Sequence, residues 1–253
     1  MPDPSDPVIT ALLDQCRVVV QALPTLSRTI GDALGILAQD LADRIKDFEA
    51  PAGSFPLVPW TQDLRAVLPR NTNCPKPLQN GWWRRSLDQI ETVCFHHTLS
   101  HSPAGLAAWY ITKEGGRPSL PYSIWIVEDT GEILLCNSLE EGCWHNFNGH
   151  QNTALSIGLA GDRTKYPPPA VQMRAAALMA AWAILSPTLP KITSVSQIMG
   201  HMDYPLCKPG QIYATDCPGW STAKTGNWRT EFYSTVGRLL EEYTVKGVFM
   251  KKR

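Results

Sequence analysis

Val93-Cys94-Phe95-His96-His97-Thr98 is the stretch on which the reading of this chain turns. Its apolar run has the length and composition of a short buried strand, and that strand delivers two histidines at its end. Downstream, Ser102-Pro103 starts a helix, with serine as the cap and proline at the first helical position, where its missing N–H costs nothing. That helix runs to about Thr112 and ends near Gly115-Gly116. Ser123–Val127 and Glu132–Cys136 flank Glu128-Asp129-Thr130-Gly131, a hairpin signal, and Ala154–Ala160 is another strand-length apolar run. Pro168-Pro169 opens a strong helix with Val171, Ala175, Leu178, Trp182 and Leu185 on one face. Ser196–Met199 reads as a further strand leading into Gly200-His201, and a last helix runs from about Asn227 to Thr244. Strands alternating with helices predict an α/β domain.

Upstream the composition differs. Residues 1–49 hold no Trp, Tyr or His, and Leu26, Ile30, Leu34, Leu37, Leu41, Ile45 and Phe48 recur at helical steps. An earlier apolar stretch, Val8–Leu23, ends at Pro24, so an N-terminal α-helical hairpin is expected. Its apolar face would pack on the rest of the chain or self-associate with a second copy. Pro51, Gly53, Pro56 and Pro59 mark residues 50–63 as a linker, and 64–253 as the main domain.

Lys plus Arg and Asp plus Glu are 23 each, so no single-sign field draws the chain to nucleic acid or anionic lipid. No run reaches the ~18 apolar residues of a transmembrane helix. The N-terminus carries acids where a secretory signal carries bases, so synthesis without a signal peptide, in the cytoplasm, is expected. Seven cysteines at irregular spacing argue against a disulfide framework and for buried free thiols.

All six histidines lie between residues 96 and 201. His96 and His201 each follow a predicted strand, and rigid strand ends suit metal ligands. Cys217 sits in the turn-forming run Thr215-Asp216-Cys217-Pro218-Gly219. Two neutral imidazoles and a thiolate suit zinc and leave a fourth position for water. The rivals are His97 for His96, and Cys207 or the carboxylate of Asp203 for Cys217. Strand alternation sends His96 and His97 to opposite faces, so only one of them should bind.

Cys94-Phe95-His96-His97-Thr98 resembles the first metal-ligand motif of the zinc N-acetylmuramoyl-L-alanine amidases, a family that includes phage-lysozyme-like amidases and peptidoglycan recognition proteins. Tyr122–Val127 with Asp129-Thr130-Gly131 is similar to that family's tyrosine-strand-turn segment. Gly149–Asn152 through Leu155-Ser156-Ile157 to Gly161-Asp162 resembles its central strand. Gly200-His201 and Thr215–Gly219 resemble its second and third ligand motifs. The likeness runs from about Leu64 to Trp220.

The resemblance implies a central mixed β-sheet flanked by helices, and Zn2+ on His96, His201 and Cys217. It implies hydrolysis of the amide joining N-acetylmuramic acid to L-alanine in peptidoglycan, with muramyl peptides as partners. Tyr122 matches the family's active-site tyrosine, Thr215 is a second catalytic candidate, and His150 is a candidate for the substrate groove. The glutamate base of some relatives falls on Gly158 here and is missing. A chain without a signal that acts on the cell wall needs an exit route, so a phage or prophage endolysin released at lysis is expected. Recycling of wall fragments is the rival. A recognition module without catalysis, or a virion component carrying an amidase domain, are the alternatives; retention of Cys217 favours the enzyme.

Overall fold

Strand β3 (Thr92–His97) lies inside a six-stranded sheet because both of its faces are covered. The computed structural model describes residues 58–74, 83–113, 116–145, 150–208, 210–220 and 227–245. The helical hairpin expected over 1–49, and residues 50–57 of the linker, lie outside them.

In chain order the strands are β1 (Gln62–Asp63), β2 (Trp83–Arg84), β3, β4 (Ile124–Ile126), β5 (Ile133–Leu135), β6 (Glu141–Gly142), β7 (Ala154–Leu159) and β8 (Ile198–Gly200). The helices are α1 (Pro103–Lys113), the single turn α2 (His150–Thr153), α3 (Ala170–Leu185) and α4 (Trp228–Val245). The large sheet has the order β1-β5-β4-β7-β3-β8, and β2 pairs with β6 separately. Strands β4, β7, β3 and β8 run parallel; β5 is antiparallel to β4, as its hairpin requires, and β1 is parallel to β5. The domain is therefore α/β with a mixed sheet flanked by helices.

Side-chain alternation divides the sheet into two faces. Val93, Phe95, Ile124, Ile126, Leu155 and Ile157 point into one core with α3 and α4, where Phe232 meets Phe95 edge-on at 5.2 Å between ring centroids. The opposite face carries Trp125 and Leu134 against Ala107 of α1, Leu120 and Tyr122. Cys94 and His96 belong to this second face by the same period of two.

The structure refines three expectations. Thr61 and Leu64 donate backbone hydrogen bonds to Ile133 and Leu135, so the sheet begins inside the expected linker. Helix α3 is buried nearly all round rather than along one stripe, and Val171 of the expected face is exposed. Six buried alanines in α3 let the sheet and α4 approach it from different sides. Residues 195–197 form a 3-10 turn rather than a strand, because Gln197 Oε1 accepts from the Thr193 and Ser194 amides and caps it. The strand follows at Ile198. Ser102 Oγ does accept from the Gly105 amide at 3.1 Å, as the cap reading requires. The six described cysteines are all free, and five are buried. No helix among the described residues is long and apolar enough to cross a membrane.

Candidate metal centre

Three chain segments meet beyond the C-terminal ends of β3 and β8. The two strands pair in parallel with Phe95 opposite Gly200, so one further step along each brings His96 opposite His201. Their ring centroids are 4.7 Å apart. The Cys217 segment is tied to the same place twice: its carbonyl accepts from the Met202 amide at 2.7 Å, and its Sγ accepts from the His97 amide at 3.4 Å. Gly219 closes the turn at φ +86°, and a Cβ there would stand 2.1 Å from the Arg163 carbonyl oxygen, so only glycine fits.

Cys217 Sγ lies 3.6 Å from His96 Nδ1. With Zn–S near 2.3 Å and Zn–N near 2.0–2.1 Å, a tetrahedral zinc would hold a sulfur and a nitrogen about 3.5 Å apart. The donor atoms of His96, His201 and Cys217 all lie within 4.8 Å of one another, so the set fits this ion. A second group, Cys94, His96 and His145, is as close-knit. There, however, His96 Nε2 is 3.1 Å from Cys94 Sγ and 3.0 Å from His145 Nδ1. Those separations are shorter than the roughly 3.5 and 3.4 Å edges of a zinc tetrahedron and have the length of hydrogen bonds.

Electrostatics fit the first set as well. Burial, and after it the neighbouring His201, holds His96 well below the usual histidine range. Burial, then His97, pushes His201 down to about 4. Both imidazoles are therefore neutral at pH 7, as ligation needs. Burial pushes the Cys217 thiol up to about 12, the His97 amide working against it. A divalent cation would join that amide in favouring the thiolate.

These groups line a cavity of about 220 Å³ together with Tyr122, Thr215 and His145. The Tyr122 ring sits 5.3 Å from the His96 ring, and burial raises its hydroxyl pKa well above 10, which keeps it a proton donor. Gly158 lies beneath that ring. A Cβ there would stand 2.7 Å from Thr98 Cγ2 and 2.9 Å from Tyr122 Cδ2, so tyrosine and threonine occupy the room a glutamate would need. Thr215 Oγ1 accepts from the Cys217 amide at 3.1 Å, which helps shape the turn and leaves its O–H at the cavity wall free to donate.

The rivals have other partners, although His97 also lines the cavity. His97 turns to Asp162, Nδ1 to Oδ1 at 3.4 Å. Asp203 accepts from the Gly200 amide at 2.7 Å and from Arg229 at 2.9 Å. Cys207 packs with Ala154 and Tyr204. None of the three belongs to either donor group. His150 opens α2, but its side chain lies outside the described residues. Sequence reasoning missed Cys94 and His145 as neighbours of His96. The period of two could have placed Cys94 on the His96 face; nothing local announces His145.

A sequence profile of the family described as N-acetylmuramoyl-L-alanine amidase matches residues 86–220, just over half of the chain. No curated protein matches by sequence. Among solved structures, the chain is similar to the endolysin N-acetylmuramoyl-L-alanine amidase LysCS from Clostridium intestinale URNW, at 15% identity and a TM-score of 0.49, over 70% of this chain and 97% of that one. It is similar to Drosophila peptidoglycan recognition protein SA, at 15% identity and 0.44, over 58% and 82%. The Ph2119 endolysin from a Thermus scotoductus bacteriophage matches at 16% and 0.44, over 61% and 89%.

Proposed function

The chain belongs to the N-acetylmuramoyl-L-alanine amidase family, and from that premise we propose that it hydrolyses the amide between N-acetylmuramic acid and L-alanine with a zinc ion held by His96, His201 and Cys217. Family membership supports action on peptidoglycan in general, and the donor geometry supports the finer statement. The observation that carries it is the 3.6 Å from Cys217 Sγ to His96 Nδ1, the edge of a zinc tetrahedron with His201 beside it. Zinc bound there supplies Lewis acidity toward the amide carbonyl and toward water at neutral pH.

The chain's own residues do the rest. His96 and His201 stay neutral and hold their lone pairs for the metal. The Tyr122 hydroxyl stays protonated at the cavity wall and donates to the carbonyl oxygen as it gains negative charge. Thr215 holds the Cys217 turn through its hydroxyl. We propose a phage or prophage endolysin as its role, with the intact wall as substrate.

The test is metal content and product. The purified full chain with zinc should release free L-alanine amino termini from muramyl peptides, and Cys217→Ser should lose both zinc and activity. No release across substrates and pH would leave a recognition module. Full activity in Cys217→Ser would move the ligand elsewhere. Lysis of whole walls, beyond cleavage of soluble fragments, would separate the endolysin from a recycling enzyme.

A further inference from the structure

His145 is a buried histidine against His96 that the proposed reaction does not use. The His96 ring has two edges in this structure. Nδ1 faces Cys217 Sγ at 3.6 Å, while Nε2 faces His145 Nδ1 at 3.0 Å, the two rings meeting edge-on at an interplanar angle of 85°. A neutral imidazole carries one proton. If that proton sits on Nδ1, the nitrogen beside Cys217 and His201 has no lone pair to offer a metal.

We propose that His145 is a positioning residue, whose Nδ1 accepts the Nε2–H of His96 and so fixes the tautomer and ring orientation that leave His96 Nδ1 open to zinc. The inference rests on the metal reading above. Its ground is geometry: with Nδ1 turned to the metal set, the His96 proton sits on Nε2, and in a ring about 2% exposed that N–H needs an acceptor inside the protein. Two atoms are in reach, His145 Nδ1 at 3.0 Å and Cys94 Sγ at 3.1 Å. A thiol sulfur is a weak acceptor, whereas an imidazole nitrogen lone pair is a good one. Acceptance at Nδ1 places the His145 proton on its own Nε2, so one hydrogen bond sets both tautomers. Metal-bound histidines generally give their second N–H to such a partner, and losing it costs about 10–100-fold in metal affinity.

The architecture supports a positioning role. His145 follows β6, whose pairing with β2 anchors it outside the large sheet, while His96 lies one residue before the end of β3 within that sheet. The contact thus braces a ligand from a second sheet, and neither Cys217 nor His201 takes part in it.

The experiment uses the full chain. Nitrogen-15 NMR of histidine side chains in the zinc-loaded protein should show His96 protonated at Nε2 and His145 protonated at Nε2 but bare at Nδ1. Competition with a chromophoric chelator should show zinc binding weakened about 10–100-fold in His145→Leu and close to unchanged in His145→Asn, whose Oδ1 can accept in place of Nδ1. His96 protonated at Nδ1, or His145→Leu binding as tightly as the unchanged chain, would overturn the inference while leaving the metal reading intact. Equal weakening in both variants would also overturn it, by making the ring itself a ligand. Failure of the unchanged chain to bind zinc would overturn the metal reading and this inference together. The NMR readout stands even if His145→Leu does not fold.

Discussion

Replacing Gly158 by alanine adds one methyl group where the structure has no room for it. The new Cβ would meet Thr98 Cγ2 at 2.7 Å and the Tyr122 ring at 2.9 and 3.0 Å. Carbon atoms rest about 3.5–4.0 Å apart, so the neighbours must give by roughly 0.5–1 Å. Neither can do so freely. Tyr122 is 7% exposed with Trp125 and His96 in ring contact with it, and Thr98 is 5% exposed with its hydroxyl donating to the Ser100 carbonyl. Overpacking of this kind costs about 1–3 kcal/mol. Loss of glycine's unfolded-state freedom returns about 0.4–1 kcal/mol, so strain wins by roughly 1–2 kcal/mol. The tyrosine ring is the more exposed of the two obstacles and lines the cavity, so it should move. A hydroxyl misplaced by about 1 Å should lower kcat about 100-fold. Urea unfolding of the metal-free chain reads the first number, and turnover of a muramyl peptide reads the second. In a Tyr122→Ala background the alanine at 158 should lose the part of its stability cost that the ring causes, while the contact with Thr98 Cγ2 remains. An unchanged midpoint and kcat in Gly158→Ala would refute the reasoning, and so would an undiminished stability cost in the double variant.

Tyr122→Phe should lower kcat by about 100- to 1,000-fold with zinc affinity unchanged, measured by turnover and chelator competition, because it removes one donor to the developing oxyanion. The metal-free protein should lose stability as the pH falls. Buried His96, His145 and His201 have depressed pKa values, so the unfolded chain binds more protons below the ordinary histidine range of about 6.5. Stability is present above about pH 6.5 and declines toward pH 4, where His201 titrates; that one residue accounts for on the order of 3 kcal/mol, readable in urea midpoints across the range. Near pH 6, zinc binding should release one proton, that of the Cys217 thiol, so affinity should rise about tenfold per pH unit; a flat profile in competition titrations would count against the thiolate. Zinc at about 1,000 times its dissociation constant should add about 4 kcal/mol of apparent stability, removed by a chelator and followed by thermal melts.

Much of the local structure was legible because it is written in local periodicity. The alternation in Thr92–His97 sets which side chains share a face, and it alone separates His96 from His97. Ser102 caps α1 as its sequence context implies, and the turn residues before Gly131 deliver the β4–β5 hairpin. His96, His201 and Cys217 were each marked by a strand end or a turn, together with the family likeness. The tertiary structure decided what depends on pairing across long separations. No local pattern shows that Phe95 stands opposite Gly200, yet that register brings His96 and His201 together. It also leaves the rival thiolate and carboxylate outside the clustered donor groups. Cys207 and Asp203 have sequence contexts as plausible as any, but packing and hydrogen bonding commit them elsewhere. Helix α3 read as one-sided because periodicity counts apolar residues, while its burial was decided by alanines that let two neighbours approach. The contact between His145 and His96 lies furthest beyond sequence reading: it joins two sheets across 49 residues, and a hydrogen bond between two imidazoles leaves no periodic trace. The chain alone determined which side chains could serve a metal; the register of the sheet determined which of them meet.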